Sequence, residues 1–275
     1  MHTMNDSLSQ TSATLSPQEI EQLQKLWRIA AETKLTDTNS SLKEFTEKLA
    51  VLMDAKNVAW LAATSGQTPS DVFFAKIFDG WWCPEVIDFK IPDDVKQVQA
   101  TFFKLAKKYG PGIDTVTMTQ TAGKTRVQLR QDVIPDDEFD DFWKTKYFNV
   151  PVLGIKERIH SAYTVTPRAE SYFLVDRAVD QPAFTERDRM LMMMVISGAY
   201  PLHHKLLLER GLVDPAVSAL SPREKEAFTL LCTELTQKEI AAALEVSPST
   251  ASQYINSVYR KFRVRGRNGL MACCI

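Results

Sequence analysis

Only Leu244-Glu245-Val246 separates the end of one helix from the start of the next, too little chain for anything but a tight turn. Helices joined that closely cross steeply and pack through small residues, here Ala241 and Ala242. The starts around this turn are explicit. Ser221-Pro222-Arg223-Glu224 sets a hydroxyl at the N-cap, Pro at the first helical position and a carboxylate at the third. Thr236-Gln237-Lys238-Glu239 repeats the capping box, and Ser247-Pro248 opens the longest helix of the group. Phe228, Leu231, Ile240, Leu244, Val246, Ala251, Val258, Phe262 and Val264 recur at helical spacings and predict one small core.

The third helix keeps Ser249, Thr250, Ser252, Gln253, Asn256, Arg260 and Lys261 outward. Amides at the front of such a face can pair bidentately with adenine edges in the major groove, while hydroxyls and cations reach phosphate oxygens. Charge agrees with this. After Glu245 there is no further Asp or Glu, whereas Arg260, Lys261, Arg263, Arg265 and Arg267 follow. Residues 220–275 carry a net +3 inside a chain whose total is −1, so the whole-chain balance conceals a segregated basic segment.

Leu220-Ser221-Pro222-Arg223-Glu224, Lys238-Glu239-Ile240-Ala241, Ser247-Pro248-Ser249-Thr250, Arg260-Lys261-Phe262 and Val264-Arg265-Gly266-Arg267 together resemble the LuxR-type helix-turn-helix family, in order and in spacing. The resemblance implies a four-helix DNA-binding domain with residues 247–264 as recognition helix. Its base-contacting positions match Ser252, Gln253 and Asn256, and its phosphate-contacting positions match Lys238, Thr250 and Lys261. Three positions depart from the family pattern. Glu245 stands where Gly is usual, at a cost of about 1 kcal/mol for positive φ. Ser252 replaces a frequent Lys and Tyr254 a frequent His, which shifts weight onto Gln253 and Asn256.

A chain of 275 residues has room for two domains. The expected division is a disordered tail over 1–15, a sensing and dimerisation domain over 16–210, a linker over 211–219 and the DNA-binding domain over 220–275. No apolar run approaches the ~20 residues of a membrane helix, and the polar start is no signal peptide. Cys83, Cys232, Cys273 and Cys274 show no metal spacing, so a reduced, cytoplasmic setting is expected.

In the larger part, helices are expected over 16–32 and 41–55, strands over 58–63, 115–120, 125–130, 159–166 and 170–176, and helices over 93–108 and 136–148. Thr121-Ala122-Gly123-Lys124 suits a hairpin between two of the strands. A long helix opens at Thr185, with Asp188 completing its capping box and Pro201 interrupting it. The fold class is α+β, an antiparallel sheet with flanking helices followed by an all-α domain. The sheet and its closing helix resemble a GAF or PAS-like sensor.

Trp60, Phe73, Phe74, Trp81, Trp82, Tyr163 and Phe173 are candidates for the wall of a small-ligand pocket, or else they fill the core. The Trp, Tyr and Asp-Pro pattern of acyl-homoserine-lactone sensors is not found, and that ligand is not assigned. No cofactor, metal cluster or catalytic constellation is expected. Asp136, Asp137, Glu138, Asp140 and Asp141 read as a solvated helix start, and His160, His203 and His204 lack ligand partners nearby in sequence. The sequence therefore describes a homodimeric regulator of double-stranded DNA at a two-fold operator, under a small-molecule signal. The rival is a ligand-independent dimer with a purely structural first domain. The last helix, exposing Leu270, Met271 and Cys274, is one candidate dimer contact.

Overall fold

The computed structural model describes residues 14–65, 80–88, 95–213 and 220–273. Nearly all of the expected tail, most of the linker, Phe73, Phe74 and Cys274 lie outside the described residues. The chain is α+β. Helix α1 (Pro17–Glu32) starts at the expected capping box, in which the Glu19 amide donates to Ser16 Oγ and the Ser16 amide donates to Glu19. Helix α2 (Thr38–Leu52) follows, then strands β1 (Asn57–Ser65) and β2 (Trp81–Asp88) and helices α3 (Val95–Tyr109) and α4 (Ile113–Gln120). Strand β3 (Arg126–Leu129) leads into the single turns α5 (Arg130–Val133) and α6 (Asp136–Phe139) and a π-helix, Thr145–Leu153. Strands β4 (Ile155–Thr166) and β5 (Ala169–Ala178) complete a five-stranded antiparallel sheet of order β2-β1-β5-β4-β3. Helices α7 (Glu186–Gly198) and α8 (Tyr200–Glu209) close the domain, and the break at Ala199 falls just ahead of Pro201, which has no amide hydrogen to continue the ladder.

Three sequence expectations are corrected. Residues 115–120 form part of α4, not a strand, so no hairpin precedes β3, whose sheet neighbour is β4. The run of β-branched residues favours a strand, but Thr119 and Thr121 return their hydroxyls to the carbonyls of Thr115 and Thr117, and Asp114 is anchored by Lys144. Residues 136–148 do not make one helix, because the chain turns after Phe139 and resumes in the wider π-helix containing Pro151. Strand β2 was not foreseen, since Pro84 argues against a strand interior; it is tolerated here at a sheet edge.

Helices α1, α2, α7 and α8 cover one face of the sheet. Leu23, Leu26, Leu42, Phe45, Leu49, Trp60, Phe173, Val195 and Leu206 meet there in the main core. The carboxy-terminal helices are α9 (Pro222–Leu231), α10 (Gln237–Ala243), α11 (Pro248–Lys261) and α12 (Arg267–Cys273), around Phe228, Leu231, Ile240, Leu244, Ile255 and Val258. Leu270 is fully buried in this second core and Met271 is half-buried, so α12 does not offer the exposed pair expected of it. Ala241 packs, whereas Ala242 faces outward.

The turn between α10 and α11 is closed by the Val246 amide donating to the Ala241 carbonyl at 3.1 Å, with Glu245 at φ +56°. A Cβ in that region costs about 1 kcal/mol. Glu245→Gly is therefore expected to slow hydrogen exchange in α10 and α11 by an amount equivalent to about 1 kcal/mol. Unchanged or faster exchange would show that the turn carries no strain.

Candidate nucleic-acid interface and a buried polar face

Ala251, Ile255 and Val258 bury one side of α11 and thereby fix which side faces out. Ser247 caps its start, accepting from the Thr250 amide at 3.1 Å, and its Oγ lies 2.8 Å from both Ser249 Oγ and Thr250 Oγ1. Ser249, Gln253, Asn256 and Arg260 are exposed, Thr250 and Ser252 half-buried, and Lys238 is exposed in the first turn of α10. Gln253, Asn256 and Arg260 rim an open depression floored by Ser221, Glu224 and Ser257.

Glu224 holds that floor. Its carboxylate accepts from Ser257 Oγ at 2.5 Å, from Lys261 Nζ at 2.6 Å and from the Ser221 amide at 2.6 Å. Burial alone would raise its pKa, but these donors reverse the effect and hold it at about 2. Arg260 in turn donates to Ser257 Oγ at 3.1 Å. Lys261 thus departs from the sequence expectation: its ammonium clamps α11 to α9 and is largely buried. Arg267 is also engaged internally, on the carbonyls of Leu231 at the end of α9 and of Thr233 and Leu235 in the loop that follows. The basic tail therefore divides into cations that hold the fold and exposed ones, Arg260, Arg263 and Arg265.

Residues 218–273 match the family described as bacterial regulatory proteins, luxR family. The carboxy-terminal segment is a LuxR-type DNA-binding domain. Spore germination protein GerE of Bacillus subtilis (strain 168) is 41% identical to it over 49 residues, which make up 18% of this chain and 66% of that protein, just under two thirds of its length. Among solved structures, SdiA in complex with octanoyl-rac-glycerol aligns over 95% of both chains at 13% identity and a TM-score of 0.46. Escherichia coli SdiA aligns over 93% of this chain and 94% of its own at 13% identity and 0.42. The VqsR LBD domain from Pseudomonas aeruginosa aligns over 68% of this chain and 96% of its own at 11% and 0.42. These likenesses are loose.

Of the aromatic candidates among the described residues, Trp60, Tyr163 and Phe173 lie on the helix-covered face of the sheet, and Trp81 and Trp82 lie on β2. Trp60 and Phe173 are fully buried between the sheet and the helices, and Trp60 Nε1 donates to Ser171 Oγ at 2.8 Å. Ser171 meets His203 Nδ1 at 2.7 Å, and Tyr163 stacks on the His203 ring at 4.6 Å. This is packed core. Trp81 and Trp82 are half-buried on β2, paired with Ser65 and Thr64.

The opposite face of the sheet is charged. Arg126 pairs with Glu170 at 2.7 Å and donates to Tyr172, and Arg158 pairs with Asp176 at 2.6 Å. Over this face, Lys144 Nζ meets both Asp114 oxygens at 2.7 and 2.8 Å and Thr115 Oγ1 at 2.9 Å. Burial opposes ionisation of Asp114, yet the Lys144 ammonium keeps its carboxyl below the usual range. Burial, then the field of Arg158, lowers the His160 pKa to about 3. His160 Nδ1, Trp143 Nε1 and Thr145 Oγ1 have no hydrogen-bond partner among the described residues, although these residues are only 4, 7 and 5% exposed. Phe102, Phe142 and Trp143 supply aromatic surface beside them. Among the described residues no cluster of His, Cys, Asp and Glu could hold a metal ion, and no helix is long and apolar enough to cross a membrane. Alternation along β4 and β5 marks Arg158, His160, Glu170, Tyr172 and Asp176 as one face, but nothing local announces that Asp114, Trp143, Lys144 and Thr145 will cover it.

Lys261→Ala is expected to lower the stability of the LuxR-type domain by about 2 kcal/mol, because it removes a charge-assisted bond, whereas Asn256→Ala leaves stability unchanged and relaxes base preference. Selection from a randomised duplex pool, paired with thermal melting, separates the two. The Glu224 pKa is depressed from 4.5, so its stabilising contribution is complete above about 4.5 and is lost as pH falls toward 2. Glu224→Gln should flatten acid unfolding of α9 and α11 in that window.

Proposed function

We propose that the chain is a cytoplasmic transcription regulator that works as a homodimer on a two-fold operator. Residues 16–210 form a GAF/PAS-like sensing and dimerisation domain, 211–219 a linker and 220–275 the DNA-reading domain. In each copy α11 enters the major groove, with Ser252, Gln253 and Asn256 toward base edges and Lys238, Ser249, Thr250 and Arg260 toward phosphates. Half-sites then lie about 34 Å apart. No bond-making step is assigned to any residue. The exposed amide face of α11, within a segment of the luxR family, carries the DNA reading.

The signal is a small organic molecule held between the charged face of the sheet and the α3, α4 and π-helix layer. One observation supports this: the three unpartnered polar groups of Trp143, Thr145 and His160, set near the Asp114–Lys144 pair. Leaving a buried polar group unpaired costs about 1–3 kcal/mol, and a ligand with acceptor and donor atoms beside an apolar body would recover that cost. Of the aromatic candidates from sequence, Trp60, Tyr163 and Phe173 pack on the opposite face of the sheet from this layer.

Melting of the full chain across a panel of small hydrogen-bonding organic molecules tests the proposal. A shift that appears with one compound class and disappears in Thr145→Val supports it. No shift across the panel, with native mass spectrometry showing a bare dimer that still selects operator DNA, would establish the ligand-independent reading instead. His160 and His203 are both held neutral by burial, with pKa values of about 3 against an ordinary 6.5. The unfolded chain binds protons first, so stability is greatest above about 6.5 and falls as pH drops below it. Urea unfolding followed by Trp fluorescence should weaken steadily from pH 7 to pH 5, and His160→Asn should remove about half of that slope.

A further inference from the structure

The linker does not leave the first domain as a free tether. The Leu220 amide donates to the Arg210 carbonyl at 3.2 Å, so the last residue of the first domain is joined directly to the first residue of the second. Gly211, at φ +69°, permits this closure: a Cβ there would lie 2.8 Å from Leu220 Cγ. Leu208 of α8, Leu35 of the turn before α2, and Leu220 belong to the same core as Phe228 and Leu231 of α9. The DNA-binding domain is thus seated on the sensing domain through an apolar seam.

Beside that seam lies one carboxylate shared between the domains. Arg210, whose side chain is 3% exposed, directs Nε to Glu85 at 2.8 Å and its other nitrogens to Glu209 and Asn39, with its guanidinium 4.7 Å from the Trp60 ring centre. Glu85 also meets Lys225 of α9 at 3.4 Å. Glu85 sits on β2, an edge strand opposite Ala62 on the helix-covered face, and its neighbour Val86, opposite Leu61, faces the other way, on the same side of the sheet as Tyr172. Displacing this strand from its other face moves Glu85 with it.

The geometry points to Glu85 as the coupling carboxylate between the sensing sheet and the DNA-binding domain. While β2 keeps its place, Glu85 holds Lys225 and the domain stays seated. When β2 shifts, Lys225 is released and α9, with α11 clamped to it through Glu224, can take the separation that an operator demands. The signal-dependent part rests on the sensing reading above; the seat and its clasp do not.

Hydrogen exchange on the full chain without added ligand reads the clasp directly. Lys225→Glu sets two carboxylates against each other and should speed exchange of amides in 208–213 and 220–231 by about fivefold, leaving β5 unchanged. Adding Glu85→Gln to Lys225→Glu should return exchange most of the way, the non-additivity expected of a direct contact. Glu226→Gln, which removes only the exposed pair with Arg223, is the control and should change nothing. Lys225→Gln, which introduces no repulsion, should produce a smaller increase in the same peptides. Equal exchange in all variants, or strictly additive effects of Glu85 and Lys225, would overturn the clasp. A ligand panel that gives no melting shift would remove the signal and leave the clasp standing, so the two failures are distinguishable.

Discussion

A strand offers two faces, and in this sheet they have opposite chemistry. Trp60, Phe173, Ile159 and Val175 point one way into helices α1, α2, α7 and α8. Arg126, Arg158, His160, Glu170, Tyr172 and Asp176 point the other way. Because side chains alternate with a period of two, register cannot slip by one residue without driving these charges into the apolar core. The positions of the helices that pack on the sheet follow from that alternation. The apolar face recruits amphipathic helices, and the charged face is covered by α4 and the π-helix, tied together by the pair between Asp114 and Lys144, the residue just ahead of the π-helix.

The DNA-binding segment is governed by short-range terms instead. Ser221 with Glu224 and Thr236 with Glu239 make complete capping boxes, and Ser247 caps α11, so all three helix starts are fixed by neighbouring residues. The Glu224 carboxylate then has a second use across the domain, on Ser257 and Lys261. One residue thereby caps the start of α9 and ties α11 to it. This dual use takes Lys261 out of the solvent-facing set, and the carbonyls of Leu231, Thr233 and Leu235 take Arg267.

Legibility followed the range of the interactions. The caps of α1, α7, α9 and α10, the break before Pro201 and the strained Glu245 turn could all be read from a few adjacent residues, because each depends on local backbone hydrogen bonding. The strand expected over 115–120 failed because threonine hydroxyls bonded to their own helix and Lys144, some thirty residues away, satisfied Asp114. The aromatic residues were equally ambiguous. Trp60 and Phe173 have the composition of a pocket wall, and only the strand register shows that they point into packed core.

The sequence by itself determined the capped starts of α1, α7, α9, α10 and α11, the DNA-binding segment and its outward amides, since capping and helical periodicity act over three or four residues. Tertiary structure decided which cations remain exposed, where Leu270 packs, and which buried polar groups come together around Asp114 and Lys144. It also decided that Glu85 lies between Arg210 and Lys225. Those outcomes turn on partners more than twenty residues apart, and the free energy of such pairs depends on burial and geometry that no local pattern records.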